Sequence, residues 1–192
     1  LEFGTPCARS VFQVQADWSC AVTFHNASLN PCVPYGRQAL SIDENREIFA
    51  PEIWDESEEL PEAKARGRIK QVWFPGVHSD VGGGYPETGL SDLALEWMIK
   101  EAMAVEHPLI VDRTKLKWKP SHEGIQHDER TGWGRAWAEG TREGVRDGKG
   151  PDILHEGSVR KRFGLAKARC VTGDRPYRPK ALAKHRDCLT FY

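Results

Sequence analysis

The residues best suited to chemistry lie together in one stretch, Trp73-Phe74-Pro75-Gly76-Val77-His78-Ser79-Asp80-Val81-Gly82-Gly83-Gly84-Tyr85. His78 stands in a loop just past an apolar run that reads as a strand. A sheet end fixes the backbone there, and the loop leaves an imidazole free to act as a general base. Asp80 is placed to orient the loop or to hold a nearby amide. Gly82, Gly83 and Gly84 permit positive φ angles or a close backbone approach. A tight turn whose histidine merely packs is the competing reading. A phosphate cradle is another, and it is weakened because neither G-x-x-x-x-G-K-[ST] nor G-x-G-x-x-G is present.

Other candidates fit their chemistry less well. His122 and His127 are five positions apart, about 140° around a helix, whereas a zinc-binding helix pair needs a separation of four. They read as exposed loop histidines. Five cysteines (Cys7, Cys20, Cys32, Cys170 and Cys188) include no C-x-x-C pair, which argues against a zinc ribbon or a thioredoxin-like site. A Cys170–Cys188 disulfide stays open. No metal and no cofactor is expected. A serine nucleophile on a G-x-S-x-G elbow is not found: Ser79 lacks that setting, and Ser158, three residues after His155, reads as a helix-surface contact.

The elements that must position His78 follow from pattern. Ile69 to Phe74 reads as a strand, Pro75 to Gly89 as a glycine-rich loop, and Ser91 to about Val105 as an amphipathic helix with Ala94, Trp97, Met98 and Ala102 on one face. Ser91 offers an N-cap, and Asp92 suits the first turn. Strand, loop and helix in that order form the unit of a mostly parallel α/β sheet. Upstream, 11–16 and 21–24 are strand-like. Residues 37–50 fit a helix through Ala39, Ile42, Arg46 and Phe49, stopped by Pro51. Residues 112–151 form a polar, glycine-rich insertion or cap containing Trp118, Trp133 and Trp137. Residues 154–160 suggest a short helix, and Tyr177-Arg178-Pro179 an extended segment.

Composition narrows the function classes. In 192 residues, 27 Lys and Arg balance 28 Asp and Glu, so the basic excess of a nucleic-acid binder is missing. No apolar run reaches the length of a membrane span, and the first residues lack the form of a signal peptide. A single domain over 1–192 is expected.

The central stretch, followed by Leu90-Ser91-Asp92-Leu93-Ala94-Leu95-Glu96-Trp97-Met98, resembles the signature of an uncharacterised α/β-hydrolase domain family that includes the type VI secretion phospholipase effectors. Two outer blocks are similar to the same family in the same order. One is Gln38-Ala39-Leu40-Ser41-Ile42-Asp43-Glu44-Asn45-Arg46 with Phe49, Pro51 and Trp54. The other is His155-Glu156-Gly157-Ser158-Val159 with Tyr177-Arg178-Pro179. Gln38 stands where the family often has histidine, a non-catalytic variation.

This resemblance implies a Ser-Asp-His hydrolase acting on carboxylic or phospholipid esters, with His78 as the triad base, Asp80 in support and no cofactor. Asp17 is the only upstream candidate for a degenerate triad acid, and the Trp18-Ser19 that follows departs from the family's acid motif. The expectation is a partial α/β-hydrolase-like fold: a mostly parallel sheet flanked by helices, lacking the serine elbow that precedes these blocks in the family. The alternative is a non-catalytic interaction module, or a degenerate relative, that keeps the scaffold. Sheet edges left uncovered imply self-association.

Overall fold

Ile69-Lys70-Gln71-Val72-Trp73-Phe74 is apolar on both faces except at Lys70 and Gln71, the pattern of a strand covered on two sides. In the computed structural model, which describes residues 27–142 and 153–192, this segment is β2 (Ile69–Phe74). It pairs in parallel with β1 (Gly36–Ser41), from Gly36 opposite Ile69 to Ser41 opposite Phe74. On the other edge of β2, the Trp73 N–H donates to the Ile153 carbonyl and the Trp73 carbonyl accepts from the His155 N–H, each at 2.9 Å. This parallel bridge to Leu154 makes β2 the middle of the sheet. The exception at Gln71 is resolved by side-chain pairing: its amide is buried, accepts from the Trp54 N–H and donates to the Trp54 carbonyl and Glu56.

Parallel neighbours require crossovers. Helix α1 (Pro61–Ala65) lies in the connection from β1 to β2. Helices α2 (His78–Gly82) and α3 (Ser91–Met103) follow β2, and α4 (Val159–Phe163) follows the 153–155 bridge. A small parallel sheet with helices on its crossovers is compatible with the α/β class. Alternation along β2 divides the core. Trp73 packs with Leu40, Ile42, Val159 and Phe163 on one side, while Val72 and Phe74 pack with Val81, Leu90, Leu93 and Ala94 on the other.

The helix expected over 37–50 does not form. The segment is β1, then a 3-10 turn at Glu47–Phe49. Ala39, Leu40 and Ile42 suit either period. As a helix they would leave one edge of a buried strand without hydrogen-bond partners, and that cost decides between the two. The strand over 69–74 and the helix from Ser91 are as expected. Leu90 takes the N-cap position, and the Ser91 hydroxyl donates back to the Thr88 carbonyl at 3.1 Å. Asp92 accepts from the Thr88 hydroxyl at 2.9 Å and from the Lys119 N–H at 2.7 Å, tying the start of α3 to the polar segment. The short helix expected at 154–160 lies slightly later, as α4. The strand-like runs at 11–16 and 21–24 lie outside the described residues. Cys170 and Cys188 are free thiols rather than a disulfide, and burial pushes the Cys188 thiol up to about 11.

Arg162 is the tie at the back of the fold. It is fully buried and donates to the carbonyls of His122, Gly124 and Arg169 at 2.7, 2.9 and 2.9 Å. The irregular 120s are thereby fastened to α4.

Phe74 is completely buried, stacks on His155 at 4.5 Å and meets Trp97 edge-on at 5.7 Å. Phe74→Ala is expected to lower unfolding free energy by about 3–5 kcal/mol. Urea denaturation followed by tryptophan fluorescence checks it; a midpoint unchanged from wild type would contradict this packing.

Candidate functional site

The end of β2 turns sharply at Pro75-Gly76-Val77, and α2 begins at His78. Gly76 has φ +108, and a methyl group there would run into the Asp80 side chain, so only glycine serves at this bend. The sequence alone suggested an open loop as far as Gly89; a one-turn helix lies within it.

The three amides through the bend each meet a different carboxylate. Gly76 N–H donates to Asp43 Oδ2 at 2.6 Å, Val77 N–H to Asp80 Oδ2 at 3.1 Å, and His78 N–H to Glu44 Oε2 at 3.1 Å. The ladder between β1 and β2 delivers two of these acids. It runs past the strands through Ile42 N–H to the Phe74 carbonyl and Asp43 N–H to the Gly76 carbonyl. Burial raises the Asp43 carboxyl above its ordinary range, against the opposing bonds from Gly76 and the Tyr177 hydroxyl. The Tyr177 hydroxyl donates to Asp43 at 2.8 Å, and burial together with that carboxylate puts the phenol well above its ordinary range. Glu44 is also buried, which opposes its ionisation. Its bonds from Arg46 and from the His78 amide outweigh burial and hold the carboxyl below its ordinary range. The Arg46 guanidinium grips both Glu44 oxygens at 2.8 Å and lies 3.9 Å from the centre of the Phe49 ring.

His78 itself is exposed. Its ring leans on Phe49 at 5.3 Å, and it lines an open cleft of about 930 Å³. One wall is the β1 backbone with Phe49, another is Ala94, Leu95 and Met98 of α3, and the Gly82-Gly83-Gly84 run forms a third. Gly83 and Gly84 have φ of +89 and +125 with open space around them, so the backbone path, not crowding, calls for glycine.

Asp80 does not face the His78 ring. Its buried carboxylate takes the Val77 amide, the His127 amide at 2.9 Å and the His127 Nδ1 at 2.7 Å. The reading of His127 as an exposed loop residue is therefore corrected. Its side chain is 14% exposed, stacks on Tyr85 at 3.6 Å and has Nε2 3.5 Å from Glu87. A buried carboxylate requires donors, and the 120s fold back over α2 to supply them. No local spacing signals this pairing. Ser158, expected as a surface contact, is sealed, with its hydroxyl 2.8 Å from His155 Nδ1. Burial lowers the His155 imidazole below its ordinary value. Asp17 lies outside the described residues. Among the described residues no cluster of His, Cys, Asp or Glu is suited to a metal ion, and no helix is long and apolar enough to cross a membrane.

The family model described as "T6SS, Phospholipase effector Tle1-like, catalytic domain" matches residues 3–101, half of the chain. The chain belongs to this family. The Tle1-like match contains β1, the bend, α2 and nearly all of α3, hence His78, Asp80, Asp43 and Glu44. An uncharacterised protein of Saccharomyces cerevisiae (strain ATCC 204508 / S288c), YEL023C, is 40% identical over 63 residues, which is 30% of this chain and 8% of that protein. The chain thus spans a small part of the curated relative it matches. No solved structure matches. An exposed histidine thus stands at the edge of a largely apolar cleft in the part of the chain that the Tle1-like match covers.

Glu44 sets an acid limit. Its folded carboxyl lies below the ordinary 4.5, so its contribution is complete above that value and is lost as pH falls through the folded one. Asp43, raised from 3.8, acts in the opposite sense, so the comparison must be between wild type and Glu44→Gln. Melting temperature is expected to fall more steeply for wild type than for Glu44→Gln as pH drops below about 4.5. Parallel curves would contradict the assignment. At neutral pH, Glu44→Ala is expected to cost about 3–5 kcal/mol, because it removes the bidentate partner of Arg46, leaving only Glu129 at 3.7 Å, and the acceptor of the His78 amide.

Proposed function

We propose that this chain carries the base-bearing part of a serine esterase or phospholipase of α/β-hydrolase type, which cleaves carboxylic esters, phospholipid esters among them. The observation that carries the reading is the exposure of His78 on the large cleft while the bend that presents it is fastened by three carboxylates. The Tle1-like match and the parallel α/β arrangement support it.

In this reading the imidazole of His78 takes the proton from a serine hydroxyl as that oxygen attacks the ester carbonyl. It then returns the proton to the departing alcohol, and a water repeats the cycle on the acyl-enzyme. The hydroxyl is supplied from outside the described residues. No G-x-S-x-G occurs in the 192 residues, and Ser158 is sealed in the core. Asp80 is a positioning residue, since its carboxylate is committed to Val77 and His127. Asp17 is the candidate for the acid that orients the His78 ring. The apolar side chains of Phe49 and of Ala94, Leu95 and Met98 on α3 would take the acyl chain.

His78→Ala is expected to reduce hydrolysis of short-chain p-nitrophenyl esters and phosphatidylcholine by about 10²–10⁴-fold. Its melting temperature should stay close to wild type, because the ring is exposed. The assay uses this chain together with the sequence that precedes it in its gene. Equal rates for the two proteins would remove His78 from the chemistry. Absence of any hydrolysis would leave the interaction-module reading in its place.

A further inference from the structure

Gly82, Gly83 and Gly84 form one wall of the ester cleft. Nothing lies within 4 Å of where a Cβ would stand on any of the three, so no neighbour packs against the run from that side. Positive φ at Gly83 and Gly84 lets the chain turn there but gives it no support. Consecutive glycines have the widest backbone freedom of any residues, and holding them in one path costs entropy. What keeps this wall in place must therefore act at its two ends.

Both ends meet the same imidazole. Before the run, the buried Asp80 accepts from the His127 N–H at 2.9 Å through Oδ2, and its Oδ1 lies 2.7 Å from His127 Nδ1. An ionised carboxylate only accepts, so Nδ1 carries the proton. After the run, the Tyr85 ring stacks on the imidazole at 3.6 Å with 16° between the planes, and Glu87 Oε2 lies 3.5 Å from Nε2. His127 thus touches positions 80, 85 and 87, on either side of the three glycines. The glycines line the cleft, whereas His127, Tyr85 and Glu87 do not.

The imidazole is also anchored from its own side. The Gln126 N–H donates to the Arg169 carbonyl at 3.1 Å, and the Gln126 carbonyl accepts from the Val171 N–H at 3.0 Å. Buried Arg162 holds the carbonyls of His122 and Gly124. A side chain fixed on this second support can restrain the run; one carried by the run itself could not.

We propose that His127 is a positioning residue that clamps the Gly82–Gly84 run and so fixes the wall against which an acyl chain is measured. Asp80, Tyr85 and Glu87 are its three holds. The acyl part of this role rests on the hydrolase reading above; the clamp does not. Asp80 also accepts the Val77 amide, so its loss would disturb the bend itself. The test therefore changes His127.

The protein is prepared as this chain with the sequence that precedes it in its gene, carrying isotope-labelled glycine for magnetic resonance. Order parameters of the Gly82, Gly83 and Gly84 amides should be about 0.85 in wild type and below about 0.6 in His127→Ala. His127→Asn, whose amide can donate to Asp80 from the position of Nδ1, should lie between the two. Unchanged order parameters in His127→Ala overturn the proposal. If His127→Ala has lost cooperative melting, the double variant Tyr85→Leu/Glu87→Gln, altered at a half-buried and an exposed position, decides in its place: it should loosen the glycines, and unchanged values overturn the proposal. Rates are then read on p-nitrophenyl butyrate and octanoate. The preference between the two chain lengths should shift about tenfold in His127→Ala, through KM, with kcat on the butyrate within about twofold of wild type. A fall in kcat of about 10²-fold or more with the preference unchanged would make the imidazole a reacting group and overturn the positioning role. If wild type hydrolyses neither ester, the hydrolase reading fails and the glycine order parameters alone decide the clamp.

Discussion

Three consecutive amides donating to three separate carboxylates set the geometry of everything near His78. A helix of five residues has too few internal bonds to persist alone. Its first N–H groups point outward and need acceptors, and negative charge is favoured at that end. Asp43 and Glu44 arrive from just beyond β1, and Asp80 reaches back from within α2. The register between β1 and β2 therefore reaches the site directly: a slip of one residue would turn Asp43 and Glu44 to the wrong faces. Arg46 and Tyr177 then hold those acids in place.

Much of this was legible from sequence, and the rest for definite reasons was not. β2 is a continuous apolar run bounded by glycine and proline, and α3 has a helical period, so both were clear. β1 was misread because a short apolar segment satisfies both periods and its partner strand is distant. His78 is exposed just past the strand, but it opens the one-turn helix α2 where the sequence suggested a loop. The Asp80–His127 pair joins positions 47 apart in the chain, and nothing in either local pattern announces the other. Such contacts arise from tertiary closure, as does the carbonyl cage around Arg162.

The bend separates two chemically unlike spaces. Toward α3, the cleft is open and largely apolar, with the imidazole among its lining. Toward the C-terminal segment, a smaller cavity has polar walls that carry charges of both signs. The Phe49 residue joins them: its ring supports His78, and its carbonyl accepts from Arg142. Both spaces rest on residues close to the same three carboxylates, so movement of the bend is felt on either side.

The bridge from Trp73 to Leu154 also governs how the molecule comes into being. A ribosome releases β1, β2 and α3 well before Leu154 emerges. Until then the far edge of β2 has no companion and Trp73 has neither Val159 nor Phe163 to cover it. Closure of this edge must span the whole polar segment, a loop-closure cost that local contacts do not carry. Until that pairing forms, one edge of β2 and one face of Trp73 lie uncovered.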